Sequence, residues 1–412
     1  MKVVTIYHNK PAASHEMSSN MNLYAATPRR DMALCAFLLC SMLLASFARA
    51  QEYTITNLGS ITPSGINMWG QVAGTQNGHA VVWGRWSGTQ DLGTLSGGTF
   101  SSGAAINDLG VVTGVADGPG TIHLPSGSDL SCNRLAQPFI WTAREGMKGL
   151  GSLPHSGSNV WSLLCGSYTY AVGINLRSEI VGDNRDFDTY ISAFRWTKAG
   201  SMNGVASLSG SFAYNSLANG INNQGHIVGE SGHLGLREHA MVVKDGVAID
   251  LGTLAGADPD GFYCAAANGI NDRGQIVGYS SLDASPQQTC LLMRAIGSAH
   301  AWAWDQRGGM RDLGVLAGDK SSVALKITYF GQVVGISGNT FTFDYAIGRA
   351  TLTGRPFIWT ERGGMRDLNN LIPGNSGWVL NAVSDINVWG QIIGVGTRNG
   401  ESRGFLLTPK IL

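Results

Sequence analysis

Apolar residues along the chain gather in runs of five or six, each bounded by Gly, Asn or Asp. One run–turn–run unit recurs seven times: GINMWGQVAG (65–74), AINDLGVVTG (105–114), GINLRSEIVG (173–182), GINNQGHIVG (220–229), GINDRGQIVG (269–278), KITYFGQVVG (326–335) and DINVWGQIIG (385–394). A more aromatic run follows each: HAVVW (79–83), PFIW (138–141), AFRW (193–196), HAMVV (239–243), HAWAW (300–304), PFIW (356–359) and GFLL (404–407). Then comes a DLG-type run: QDLGTL (90–95), KGLGSL (148–153), NGVASL (203–208), IDLGTL (249–254), RDLGVL (311–316) and RDLNNL (366–371). Its seventh copy, TNLGSI (56–61), stands ahead of the first unit. The pattern predicts four short strands per repeat: A (GIN), B (GQVVG), C (aromatic) and D (DLG).

Spacing turns the strands into an architecture. The aligned Asn positions, Thr328 in the sixth copy, lie 40, 68, 47, 49, 57 and 59 residues apart. From that position to the last Gly of strand B is always seven residues, and from C to the Leu of D is eight or nine. These are tight hairpins. The B–C and D–A connections range instead from 9 to 27 and from 9 to 25 residues. Strands alternate in direction, so A–B and C–D turns share one face and every variable connection falls on the other. Seven such units predict an all-β, seven-bladed β-propeller of four-stranded blades, with A innermost because Gly and Ala suit a crowded centre. A linear solenoid is the alternative, but its coils are shorter and it needs caps. The approximate blades are 64–97, 103–153, 171–208, 218–254, 267–316, 324–371, and 382–408 joined by 53–59. The N-terminal D strand would thus close the ring. Trp83, Trp141, Trp196, Trp304 and Trp359 are expected to pack between blades.

The repeats resemble the HAF-repeat family of extracellular bacterial proteins, defined by a His-Ala-Phe start to the aromatic strand. The resemblance covers nearly all of 51–412. HAVVW, HAMVV and HAWAW keep His-Ala but replace Phe; NGVASL departs from DLG, and Lys326-Ile327-Thr328 from Gly-Ile-Asn. The resemblance implies an exported repeat protein and no particular reaction.

The first fifty residues belong to another category. Arg29 and Arg30 precede an apolar run from Met32 to Ala48, and Ala48-Arg49-Ala50 follows. This is the order of a signal peptide cleaved near Ala50, and the run is short for a bilayer span. Secretion or a periplasmic location follows, with no membrane span in the mature chain. Composition agrees with the strand reading: 57 of 412 residues are Gly and only 14% are charged. Twenty-eight basic and 28 acidic residues leave no electrostatic footprint for nucleic acid.

Four Cys remain after the signal: Cys132, Cys165, Cys264 and Cys290. An even number in an exported chain reads as two disulfides, and four Cys allow three connectivities. All four fall in connections of the variable face. Cys132 and Cys165 flank the outer part of blade two, and Cys264 and Cys290 the inner hairpin of blade five. Topology therefore pairs 132–165 and 264–290.

Candidate chemistry is sparse. The Asn of GIN and its acidic neighbour supply too few oxygens for a calcium loop and read as turn chemistry. Asp91, Asp250, Asp312 and Asp367 read as edge protection or a local hydrogen bond, and His79, His239 and His300 as framework. His123 and His155 lack a third ligand, so neither metal nor cofactor is expected. Aromatics outside the repeat pattern mark the variable connections: Trp161, Tyr168, Tyr170, Tyr190, Tyr263, Phe343, Tyr345 and Trp378, accompanied by Asp186 and Asp188. Rings beside carboxylates suit sugar or protein partners. These features predict a binding or structural scaffold acting through the variable face on envelope polysaccharide or protein. The alternative is a polysaccharide-cleaving hydrolase or lyase on that face, although GxSxG, HExxH and P-loop motifs are absent.

Overall fold

The computed structural model describes residues 53–123, 129–153, 168–185, 191–208, 216–232, 238–255, 263–282, 298–344 and 349–410. They form seven four-stranded antiparallel sheets in a β-propeller. Blade one is β2 (Thr62–Ile66), β3 (Val72–Gln76), β4 (His79–Gly84) and β5 (Gly88–Asp91). Blade two is β6 (Ser101–Ile106), β7 (Val112–His123), β8 (Asp129–Thr142) and β9 (Gly146–Gly149). Blade three is β10 (Tyr168–Ile174), β11 (Ile180–Arg185), β12 (Ile191–Thr197) and β13 (Ser201–Gly204). Blade four is β14 (Ser216–Ile221), β15 (Ile227–Gly232), β16 (Glu238–Lys244) and β17 (Val247–Gly252). Blade five is β18 (Ala265–Ile270), β19 (Ile276–Ser281), β20 (Ala299–Asp305) and β21 (Gly309–Gly314). Blade six is β22 (Ser321–Ile327), β23 (Val333–Asp344), β24 (Arg349–Thr360) and β25 (Gly364–Asp367). Blade seven joins β26 (Trp378–Ile386), β27 (Ile392–Arg398) and β28 (Glu401–Pro409) to β1 (Tyr53–Asn57) from the other end of the domain. The register runs from Tyr53 opposite Pro409 to Asn57 opposite Phe405, so the N-terminal strand closes the ring.

Strand A of every blade touches strand A of both neighbours, which makes A the hub strand. The buried apolar residues divide into seven clusters that follow the blade junctions. Between blades one and two, for example, Ala73, Val82 and Leu92 meet Ile106, Val112, Phe139 and Trp141. Burial on both faces of each sheet accounts for the near-continuous apolar character of strands B and C.

A single three-strand device repeats in every blade. Each A strand carries a β-bulge opposite the Gly of strand B, as between Ala218 and Gly220 opposite Gly229. A Cβ at Gly229 would lie 1.7 Å from Leu217 O, and one at Gly182 would lie 1.8 Å from Tyr170 O. Across the B–C ladder the same Gly faces a buried apolar side chain of strand C, Val81 in blade one, Met241 in blade four and an aromatic ring in the other five. Gly114 pairs with Phe139, Gly182 with Phe194, Gly278 with Trp302, Gly335 with Phe357 and Gly394 with Phe405. That Gly leaves room for the bulged carbonyl behind it and the side chain across from it.

Two expectations need correction. The long B–C connections of blades two and six were read as loops, but there the ladder continues, to His123 opposite Asp129 and to Asp344 opposite Arg349. Cys132 and Phe343 are therefore strand residues, opposite Gly120 and Ala350. Alternating β-branched and aromatic residues such as Thr340-Phe341-Thr342-Phe343 favour extension of the hairpin over a coil.

The hub is closed by asparagine. Asn67 Oδ1 accepts the N–H groups of Trp69 and Gln71, which fixes the turn, while its Nδ2 donates to Gln71 Oε1 and to Asn107 O of the next blade. Asn107 reaches Asn175 O, Asn175 reaches Asn222 O, Asn222 reaches Asn271 O, Asn271 reaches Thr328 O, and Asn387 reaches Asn67 O. The six amides thus bind turn and neighbour together, using donors and acceptors that would be costly to bury unpaired. Thr328 interrupts the circuit. Its hydroxyl accepts from Gln332 N–H, but threonine has no amide with which to donate onward to blade seven.

The junction from blade seven to blade one is reinforced. Asp385, at the position where other blades carry Gly, Ala or Lys326, accepts the Ile66 N–H at 3.0 Å. Burial raises its carboxyl pKa, against the opposing pull of Lys326 and two backbone N–H groups.

Replacing Asn271 by Ala strands buried backbone groups and should cost about 1–3 kcal/mol in urea unfolding. Thr328→Asn supplies the missing donor to blade seven and should stabilise by about 1 kcal/mol, read as a raised melting temperature. Removing residues 51–57 takes away β1 and should lower the melting temperature by opening the seventh blade.

Candidate binding surfaces

The B–C and D–A connections converge on one face, where the candidate aromatics and acids were expected. Trp161, Cys165, Asp186, Asp188, Tyr190, Cys290 and Tyr345 lie outside the described residues. Tyr168 and Phe343 are placed only by backbone, in β10 and β23. Tyr170 is half-buried on β10 opposite Asp183, and Tyr263 is half-buried just before β18. Cys264 is buried, with its N–H donated to Ser281 Oγ.

Trp378 departs from the expected loop position. It opens β26, is only 8% exposed, and packs edge-to-face on Phe405 with ring centroids 6.2 Å apart. Arg398 covers its ring at 5.9 Å. Alternation along Trp378-Val379-Leu380 turns the indole inward and Val379 outward, so the ring is core rather than contact surface.

The sequence reading overlooked a carboxylate pair on this face. Glu230 on β15 and Glu238 at the head of β16 share one side of blade four, with Glu238 directly opposite Gly232. Val228, on the same side of β15, packs toward blade five, so both acids face that junction. Burial first, and the negative charge of Glu230 second, push the Glu238 carboxyl well above the usual carboxylate range. In the sequence these acids are eight residues apart across a connection, with nothing to place them together.

The recurring His and Asp residues prove to be one element. His79 Nδ1 lies 2.8 Å from Asp91, His239 lies 2.9 Å from Asp250, and His300 lies 2.8 Å from Asp312. The second Asp oxygen accepts the N–H of the DLG glycine, as Asp91 does from Gly93. Each pair ties the start of strand C to the end of strand D. Blade six substitutes Arg355 with Asp367 at 3.4 Å. The aligned positions in blades two and three hold Gln137 with Gly149 and Ser192 with Gly204, so the two partners are lost together.

On the opposite face, a cleft of about 580 Å³ opens between blades three and four, lined by Arg195, Asn203, Val205, Gln224, His226 and Asp245 among others. Beside it, Glu179 occupies the position where four other copies carry Gln, blade two Val111 and blade four His226. It accepts from Arg177 at 2.8 Å, Arg195 at 2.6 Å and Asn175 at 2.6 Å. Burial opposes its charge, but these three donors together outweigh it and hold the carboxyl at about 2. Burial, aided by Lys244, lowers the His226 pKa and favours neutral imidazole. The cleft wall thus carries a cross-braced ion cluster beside a neutral imidazole. Among the described residues no group of three or more His, Cys, Asp or Glu could hold a metal ion.

This fold and its surfaces define a class, a seven-bladed β-propeller. No family model and no curated protein matches the chain. Among solved structures it is similar to the extracellular domain of a one-component system from B. thetaiotaomicron, at 8% identity and TM-score 0.44, covering 87% of this chain and 40% of that one. It is also similar to the Pyrococcus horikoshii acylaminoacyl peptidase, at 13% identity and TM-score 0.43, covering 76% and 46%. A puromycin hydrolase matches at 11% identity and TM-score 0.45, covering 82% and 50%. The chain therefore spans half or less of the length of these structures. No helix among the described residues is long and apolar enough to cross a membrane.

Trp378→Ala should destabilise the fold by about 3–5 kcal/mol in chemical denaturation, as expected for a buried aromatic. For Glu179, a folded pKa of about 2 lies below the unfolded value of about 4.5. Its stabilisation is present above about pH 4.5 and is lost as pH falls toward 2. Wild type should therefore lose more stability than Glu179→Gln across that window, measured by thermal unfolding at successive pH values.

Proposed function

We propose that the protein is an exported binding scaffold of the HAF-repeat type that engages an envelope polymer, polysaccharide or protein, through its B–C and D–A face. The observation that carries this reading is the asymmetry between the faces. Every A–B turn closes on its own Asn or Thr, whereas the opposite connections vary in length and two are built as long hairpins. A rigid ring with variation confined to one side is an arrangement in which connections select the partner. Cleavage near Ala50 and release to the periplasm or exterior belong to the same proposal. So do disulfides 132–165 and 264–290, each tethering connections on the binding side.

A second reading, hydrolase or lyase, has one observation in its favour. Glu238, with its raised pKa, and Glu230 beside it are the kind of carboxyl pair that can divide proton donation from charge stabilisation.

Screening the mature protein against envelope polysaccharides and envelope proteins separates the two. The scaffold reading expects saturable binding without turnover, weakened at least about threefold by Trp161→Ala or Tyr190→Ala with melting temperature unchanged. Product release that disappears in Glu238→Gln or Asp186→Asn would establish the enzyme instead.

A further inference from the structure

The turns that close the hub also carry a surface that the variable-face reading does not use. Two residues past the hub Asn or Thr, blades six, seven, one and two present Phe330, Trp389, Trp69 and Leu109, all exposed. Blades three, four and five present Arg177, Gln224 and Arg273 at that position. One arc of the hub mouth is therefore apolar, and the remainder is polar.

Trp69 is 69% exposed and Trp389 55% exposed, yet each indole N–H is already engaged. Trp389 Nε1 donates to Met68 O at 2.9 Å, and Trp69 Nε1 donates to Asp108 O at 2.9 Å. These bonds tie each indole to the turn of the next blade while much of the ring stays open to solvent. An indole with its N–H so occupied offers a partner its π surface and no hydrogen bond. Hydrogen-bonding groups stand beside it. Asp108 receives the Met68 N–H on one oxygen, and its other oxygen has no partner among the described residues. Gln71 accepts from Asn67 on its amide oxygen, and its amide nitrogen is likewise unpartnered among the described residues. On the polar arc, Arg273 of blade five lies over the Tyr329 ring at 5.9 Å. Aromatic faces with an acceptor and a donor at the edge complement an uncharged ligand that is apolar on its flat side and hydroxylated at its rim.

We propose that the hub mouth over blades seven and one is a stacking site for a neutral glycan. Trp389 and Trp69 receive successive pyranose rings, and Asp108 and Gln71 bind hydroxyls. Recurrence of the platform at equivalent positions of consecutive blades suits a repeating polymer. The proposal uses the face opposite the variable connections and does not depend on what those connections bind.

Intrinsic tryptophan fluorescence of the mature protein, titrated with hexaoses of glucose and of N-acetylglucosamine, tests it. Saturable binding is expected, and the Trp69→Ala, Trp389→Ala double variant should lose at least about tenfold in affinity with its melting temperature preserved. Asp108→Asn should weaken binding less, and Trp86→Ala, at the outer C–D turn, should leave it unchanged. Several results would overturn the proposal. They are absence of saturable binding to every hexaose, equal affinity in the double variant, or loss in Trp86→Ala alone. Binding to anionic vesicles or to an envelope protein that vanishes in the double variant, without any hexaose binding, would assign the arc to a different partner. Trp161→Ala serves as the reference for the variable face, so failure of either site is read separately.

Discussion

The ring depends on an amide that must use all of its hydrogen-bonding capacity in a buried place. The asparagine at the end of each hub strand cannot reach water, so its oxygen and both amide hydrogens need protein partners. Its own turn satisfies the oxygen, a side chain on the same turn takes one hydrogen in most blades, and the neighbouring blade takes the other. Closing the turn and joining the blades are consequently one event. A turn that failed to form would take from its neighbour's carbonyl one of the two hydrogen bonds it accepts, the other coming from within the neighbour's own turn, as Gly110 N–H gives Asn107 O. The circuit resembles a side-chain network in which each bond holds its neighbours in place.

The other regularities follow from bringing seven such strands to one axis. The hub strands approach closely enough that a Cβ at Gly65 would lie 3.0 Å from Ala105 Cα of the next blade. Each bulges, and the bulge places a carbonyl where the second strand can carry only glycine. The space left by that glycine is filled by a buried side chain of strand C, an aromatic ring in five of the seven blades. The sixth blade shows the same constraint under substitution. Lys326 and Thr328 replace the usual small residue and amide, and blade seven answers with Asp385. The breach in the asparagine circuit and the added bond to Ile66 lie on the two sides of blade seven, next to the junction where the chain ends meet.

The two faces differ because they answer to different demands. Turns at the hub are held to one length by their hydrogen bonds, so only the side chains at their tips can vary. There the ring changes from tryptophan and phenylalanine to arginine and glutamine without a change of backbone. Among the described residues the opposite connections carry no such amide circuit, and their lengths diverge. Blades two and six fill the added length with more ladder.

Much of this was legible in the repeats. Seven constant A–B spacings, alternation of strand direction and a displaced N-terminal D strand are local or arithmetical features, and they sufficed for blade number, strand order and ring closure. Local pattern also allowed for hydrogen bonding by the recurring aspartates; it did not supply their partners. His79 with Asp91 and Glu230 with Glu238 depend on which side of a sheet each residue faces and how far the ladder runs, and neither follows from spacing. Trp378 shows the limit in the other direction: an aromatic just outside a motif reads as a free ring until the strand is seen to begin there and turn it inward. The exposed tryptophans at 69 and 389 stand inside the motif, at a turn position that the repeat pattern does not single out. Sequence alone determined the ring and its constant and variable faces, because strand periodicity and turn length are properties of neighbouring residues. Tertiary structure alone decided which side chains are buried, paired or left facing solvent at the hub, because residues more than three hundred positions apart meet only when the ring closes.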